Sequence, residues 1–294
     1  MANTKSVYHS KIGIGTVQFG LDYGISNTNG KVSQNEANQI LQLAKKSTIS
    51  YIDTARAYGN SEQVLGNFIN ILGNQFKIIS KVSPSAKNTY EEVNNSLQDL
   101  QVEKLYAYLF HDFDTFVNQP LLWEELNEIK LDGKVEKIGF SLYYPFQLDY
   151  LFEQNIDFDI LQIPYNLFDR RFEPYFKKLK SKNVEIHVRS VFLQGLFFMD
   201  NQNLSTHFDS VSKKLTDLHV LAQTHKLDKA ALPLFFVLSN PNIDITLLGL
   251  SSLSDLEKNL KTIESFERIK QLKLDFTSFE EQNDEIILPF LWKN

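Results

Sequence analysis

The chain of 294 residues contains no cysteine, which excludes disulfides, thiolate metal sites and a cysteine nucleophile, and fits a reducing compartment. No apolar run reaches the about 18 residues of a membrane-crossing helix. The opening "MANTKSVYHSKIGIG" also lacks the apolar stretch of a secretory signal, so a soluble, cytoplasmic protein with no membrane partner is expected. Runs of lysine and arginine are missing as well. With 30 basic and 36 acidic side chains the formal charge is −6, which speaks against a nucleic-acid partner. No G-x-S-x-G elbow is present, so a serine hydrolase is not expected. The first apolar run, "GIGTVQFG", has Gln18 where a dinucleotide-binding fingerprint needs its third glycine. An open doubly wound sheet therefore loses its usual signature.

What the sequence does have is a short apolar run about every thirty residues. The runs are "KIGIGT" (11–16), "YIDTA" (51–55), "KIISKV" (77–82), "YAYLF" (106–110), "KIGFSL" (137–142), "ILQIPY" (160–165), "EIHVRS" (185–190) and "ITLLGL" (245–250). Stretches with helical spacing lie between them, such as "SQNEANQILQLAKKS", where Ser33 and Glu36 read as a capping box. Eight strands alternating with helices predict an α/β protein: a closed (β/α)8 TIM barrel, one domain over residues 1–294. Two segments break the period. One is the glycine- and asparagine-rich insert at 19–33, read as a loop. The other is residues 191–244, read as a loop followed by helices near 209–226 and at "DKAALPLFFVLSN". The terminal "EEQNDEIILPFLWKN" turns from acidic to apolar and is expected to pack, over the barrel mouth or against a partner subunit. Monomer and homo-oligomer both stay open.

Barrel chemistry sits at the C-terminal ends of the strands. Those ends read Asp53, Lys81, His111, Ser141, Gln162 with Asn166, Arg189 with Ser190, and Ser251 with Ser252. The period of two puts Asp53 on the face of Tyr51, Lys81 on that of Ile79 and His111 on that of Leu109. Singly, each has an ordinary structural reading: Asp53 caps a turn, Lys81 snorkels, His111 is a satisfied core histidine, Tyr58 packs. Together they form a polar mouth, in which a lysine beside a carboxylate is expected to lower the pKa of a tyrosine hydroxyl. His111, Asp112 and Asp114 of "HDFD" lie close together, but the neighbouring strand ends bring Lys81 and Arg189, two cations, so no metal is expected.

The stretch "YIDTARAYGNSEQVLG" resembles the signature of the aldo-keto reductase family. "KIISKV", "LFHDFD", "KIGFSLY", "LQIPYNLFDRR", "VRSVFLQGLF" and "LLGLSSLSDLEKNL" follow in that family's order, over nearly the whole chain. The resemblance implies a catalytic tetrad of Asp53, Tyr58, Lys81 and His111. Asp53 would hold Lys81, Lys81 would bias the Tyr58 hydroxyl towards giving up its proton, and His111 would steer the oxygen of a small-molecule carbonyl substrate. It implies a nicotinamide site of Ser141, Gln162 and Arg189, with Ser190, Leu193 and Gly195 beside them. The adenosine end falls on Gly249, Ser251, Ser252, Asp255 and Asn259. NADP(H) is the family's usual cofactor and the first expectation. NAD(H) is the alternative, because Asp255 stands where some members place an arginine against the 2′-phosphate, and Gly249 is no lysine. Leu142 replaces an asparagine common after Ser141. Phe19, Tyr23 and Tyr143, with Trp123 and Tyr144, are expected to line the substrate pocket. The insert "GTVQFGLDYGISNTNGKVS" resembles a bacterial branch associated with cell-surface sugar biosynthesis, which points to a sugar or nucleotide-sugar carbonyl. A carbonyl reductase, a nicotinamide-binding regulatory subunit and an epimerase that uses bound nicotinamide transiently all remain open.

Overall fold

The computed structural model describes residues 4–292 apart from 26 and 28, so Lys293 and Asn294 of the expected packing tail lie outside the described residues. Eight parallel strands close into a barrel in sequence order. They are β1 (Ile12–Gly15), β2 (Tyr51–Asp53), β3 (Lys77–Val82), β4 (Leu105–Phe110), β5 (Val135–Ser141), β6 (Ile160–Pro164), β7 (Glu185–Arg189) and β8 (Ile245–Gly249). Each of the eight apolar runs supplies one strand. The barrel shuts where β1 pairs with β8, Ile12 opposite Thr246 and Gly15 opposite Gly249. Strands this short close in register because both faces are buried, which is also why they read as continuous apolar runs.

Ile79, Ala107, Leu109 and Ile160 fill the barrel interior. Below them the N-terminal floor is polar. The rings of Tyr51 and Tyr106 meet edge to face at 5.4 Å, and Glu185 accepts from Tyr106 (2.7 Å), from Lys137 and from His187 (3.1 Å). Burial pushes the Glu185 carboxyl up, but bonds from His187, Lys137 and Tyr106 outweigh it and hold the group at about 2. His187 is thus spoken for at the end of the barrel opposite the chemistry.

The helix Gln34–Lys46 buries Ala37, Ile40, Leu41 and Ala44, one face at spacings of three and four. Ser33 accepts from the Glu36 N–H (3.2 Å), which is half of the expected capping box. The other half is absent: the Glu36 carboxylate leaves its own helix and accepts from the Leu253 N–H at 2.6 Å, 217 residues away. The insert after β1 opens with a single helical turn, Val17–Gly20, where a loop was expected. The region after β7 holds 3-10 turns at Leu193–Phe198 and Thr206–Val211, then helices Ser212–Thr224 and Ala231–Leu238. The tail folds back onto its own chain. Arg171 pairs with Asp284 (2.8 Å), Phe290 meets Tyr143 edge to face (4.8 Å), and Trp292 meets Phe208 (4.9 Å).

Two backbones touch where β1 hands over to the site. A Cβ on Gly20 would lie 1.6 Å from the Tyr58 carbonyl oxygen, and Gly59, at φ +57°, carries the chain through the crossing. No side chain fits at position 20. Gly20→Ala is therefore expected to cost about 1–3 kcal/mol through overpacking, seen as a lower urea midpoint at unchanged slope.

Candidate active site

The residues after β2 form a tied loop. Thr54 Oγ1 donates to Ser61 Oγ (3.0 Å), and Ser61 Oγ in turn reaches the Thr16 carbonyl (2.9 Å). Arg56 bonds Glu62 at 2.6 Å and Asp99 at 2.5 Å, while Ser80 donates to the other oxygen of Glu62 at 2.5 Å. This explains the "RAYGNSE" spacing: Arg56, Ser61 and Glu62 anchor the loop to β1, β3 and the helix Thr89–Leu100, so that Tyr58 projects from a fixed base.

Lys81 is 0% exposed. Its ammonium donates to Asp53 Oδ2 at 2.7 Å and to the Thr54 carbonyl at 2.8 Å, and lies 5.1 Å from the centre of the Tyr58 ring. Gln162 donates to the other Asp53 oxygen at 2.7 Å. Burial draws the Lys81 ammonium down, against the attraction of Asp53. The Tyr58 hydroxyl moves the opposite way from expectation. Burial lifts it far above its ordinary value and Asp53 adds to that, with Arg189 pulling back only in part. Lys81 fails to lower it because its charge is directed at Asp53. A phenol so placed keeps its proton at neutral pH, which suits a proton donor. The rings of Tyr58 and His111 meet edge to face at 5.4 Å. Burial, then Lys81 and Arg189, bring His111 down to about 3, so the imidazole is neutral.

These groups sit at one end of a cavity of about 820 Å³, lined there by Asp53, Tyr58, His111, Ser141, Tyr143 and Arg189. The cavity continues past Ser190 and Gly195 to Gly249, Ser251, Asp255, Lys258 and Asn259. Its walls hold polar atoms with no protein partner: Gln18 Oε1 and His111 Nδ1 are buried and unbonded. Asn259, 7% exposed, makes no side-chain hydrogen bond to a described residue. An elongated polar ligand would meet these orphaned groups, so the cavity fits a dinucleotide.

Many of the residues singled out from the sequence line the cavity. Lys81, Gln162 and Asn166 are buried without lining it, the first two bonded to Asp53, and five others do not line it either. Phe19 and Leu193 are 0% exposed in the hydrophobic core, because each packs inward to hold the loop that carries it. Trp123 stacks on Phe140 at 4.5 Å, and Tyr144 stacks on Phe146 outside the cavity. Ser252 caps the helix Leu253–Thr262 by accepting from the Asp255 N–H. Tyr23 does line the cavity, its hydroxyl accepting from Gln194 at 2.7 Å across the opening. Arg189 lies 4.0 Å over the Tyr143 ring and donates to the Leu142 carbonyl (3.2 Å). Sequence reasoning missed Gln18, Gln194, Lys229 and Lys258 as wall residues. Left-handed backbone at Ser190, Leu193, Gln194 and Gly195 (φ 62°, 48°, 50° and 96°) shapes the wall they belong to, and only Gly195 announces such a conformation in sequence.

The profile of the Aldo/keto reductase family matches residues 11–273. The chain belongs to that family. It is an oxidoreductase of the kind that works with a nicotinamide cofactor on a carbonyl. An aldo-keto reductase of Bacillus subtilis (strain 168) is 28% identical over 286 residues, 84% of this chain and 83% of that protein. L-Galactose dehydrogenase of Arabidopsis thaliana is 24% identical over 265 residues, covering 82% of each. The holo form of an aldo-keto reductase from Bacillus halodurans superposes with a TM-score of 0.68 at 19% identity, covering 89% of this chain and 91% of that one.

Two outcomes follow for this reductase. Asp53→Ala strands a fully buried ammonium and is expected to cost about 3–5 kcal/mol, measured by chemical denaturation. Burial holds His111 at about 3 in the folded protein, below the ordinary histidine value of 6.5. Between those values the unfolded chain binds the extra proton, so the stability this group contributes is lost as pH falls through that window. Urea midpoints should drop from pH 6.5 towards 3, and the drop should be shallower in His111→Asn.

Proposed function

We propose that Tyr58 is the general acid for reduction of a carbonyl whose oxygen sits between its hydroxyl and His111. The observation that carries this is that Tyr58 and His111 meet edge to face at 5.4 Å and line the same cavity, with burial favouring the protonated phenol and the neutral imidazole. The nicotinamide cofactor, when bound, supplies the hydride. Tyr58 gives its proton to the oxygen as negative charge develops there. His111, uncharged, offers a hydrogen bond without competing for that proton. Lys81 and Asp53 fix the loop base through the Thr54 carbonyl and set the local field. Ser141 and Arg189, which line the cavity, would hold the nicotinamide, with Gln162 behind them on Asp53 and NADP(H) or NAD(H) as the dinucleotide.

The substrate we propose is a sugar or nucleotide-sugar carbonyl. Tyr23, Tyr143 and Asn29 line the same cavity with polar groups, and a similar plant protein is an L-galactose dehydrogenase. A walled cleft of rings and amides suits a polyhydroxylated ligand better than an aryl one.

Tyr58→Phe removes the transferable proton and leaves the ring. The expected result is a ~10²–10⁴-fold loss of kcat with dinucleotide affinity within about twofold of the parent, by stopped-flow and fluorescence titration. A variant that kept its kcat would remove Tyr58 from the acid role. For the substrate, kcat/KM over a panel of aldoses, ketoses, nucleotide-sugar ketones and aryl aldehydes should rank the sugars first; aryl aldehydes ahead of all of them would overturn the sugar assignment.

A further inference from the structure

The far end of the cavity, remote from Tyr58, carries Asp255 and Lys258 where the second ribose of a dinucleotide would lie. A ligand with its nicotinamide at Tyr58 that runs past Ser190 and Gly249 reaches Ser251, Asp255 and Asn259. There, the N-terminus of the helix Leu253–Thr262 would ordinarily attract an anion through its free N–H groups and dipole. Two of those N–H groups, and that of Ser251 just before the helix, are already taken, while the N–H groups of Ser252 and Ser254 have no described partner. Asp255 Oδ2 accepts from the Ser251 N–H at 3.0 Å, Glu36 Oε1 accepts from the Leu253 N–H at 2.6 Å, and Ser252 Oγ accepts from the Asp255 N–H at 3.2 Å. Two carboxylates, from helices distant in sequence, therefore sit where a phosphate would want backbone donors. Asn259, nearly buried and free of described partners, faces the same space as a donor and acceptor for a neutral group.

We propose that the chain takes NAD(H) in preference to NADP(H), with Asp255 accepting a ribose hydroxyl and Glu36 closing the helix N-terminus to a 2′-phosphate. A carboxylate accepts well from a ribose 2′-hydroxyl and repels a phosphate at the same place, while NADP(H) sites supply an arginine nearby. The opposing charge is Lys258, which lines the cavity three residues beyond Asp255 and pairs with no carboxylate among the described residues. It is exposed, whereas Asp255 is partly buried, so water screens the lysine more than the carboxylate. Lys229, on the opposite wall, is tied to Asp200 at 2.6 Å. The inference rests on the nicotinamide-dinucleotide reading above.

The test is a set of parallel binding titrations of the purified protein with NADH, NADPH, 5′-ADP and 2′,5′-ADP, the last two probing the adenosine end without the nicotinamide. Binding of NADH at least tenfold tighter than NADPH, and of 5′-ADP over 2′,5′-ADP, is expected. Asp255→Asn should bring both ratios towards one. Glu36→Gln should do so more weakly, and Lys258→Ala should leave the preference for NADH in place. If NADPH binds more tightly and Lys258→Ala abolishes that advantage, Lys258 is the phosphate ligand and the assignment is overturned. Failure of all four ligands to bind would instead remove the dinucleotide reading itself, and this inference with it.

Discussion

The ion pair between Lys81 and Asp53 is the constraint around which the site is built. An ammonium with no exposure cannot stay charged without strong partners, and Lys81 has two, a carboxylate and the Thr54 carbonyl. Asp53 in turn has its remaining oxygen occupied by Gln162. The network joins β2, β3 and β6 across the barrel mouth, so the three strands cannot shift against one another without leaving a charge or a polar group unpaired. Such networks often bring less stability than an apolar core of equal size. Here the network gives position: Thr54 is the first residue of the loop that bears Tyr58, and Lys81 grips its carbonyl.

From that arrangement the state of the tyrosine follows. Two effects compete at its hydroxyl, removal from water and the charges around it. Had Lys81 stood alone beside Tyr58, its charge would favour the phenolate. With Asp53 at 2.7 Å from the ammonium, the pair presents little net positive charge, and burial decides the outcome. The same burial keeps His111 neutral. One acid stays loaded because burial outweighs the charges around it, and one imidazole stays uncharged because burial, Lys81 and Arg189 all oppose its protonation.

How much of this was legible in the sequence depends on how local each interaction is. The strands were readable because a strand buried on both faces has a continuous apolar signature. The meeting of Asp53, Lys81 and His111 was readable because strand ends converge at one rim of a barrel, whereas Tyr58, in the loop beyond β2, entered only through the resemblance. Phe19 and Trp123 were misplaced because an aromatic near a strand end has two destinations, cavity or core, and composition does not choose between them. Glu36 shows the limit most clearly. Its spacing from Ser33 matches a capping box, yet its carboxylate has a better acceptor's role at the Leu253 N–H, on a helix that only barrel closure brings alongside. Gln18 and Gln194 were invisible for the same reason: what makes them wall residues is the path of two loops with little periodicity.

Gln162 links the ion pair to the ligand. The resemblance assigns it to the nicotinamide amide, while the structure places one of its donors on Asp53. These roles are compatible, because a primary amide carries two N–H groups and an oxygen. One N–H serves Asp53. The oxygen's contact with Ser141, at 3.5 Å, is at the long limit of a hydrogen bond and easily exchanged. A carboxamide arriving between Ser141 and Gln162 would therefore gain a donor and an acceptor without breaking the bond that orients Asp53. In the proposed reading, cofactor recognition and the lysine's counter-ion would share one side chain; in any case a truncated Gln162 would loosen Asp53, and through it the Lys81 grip on Thr54 that sets the base of the Tyr58 loop.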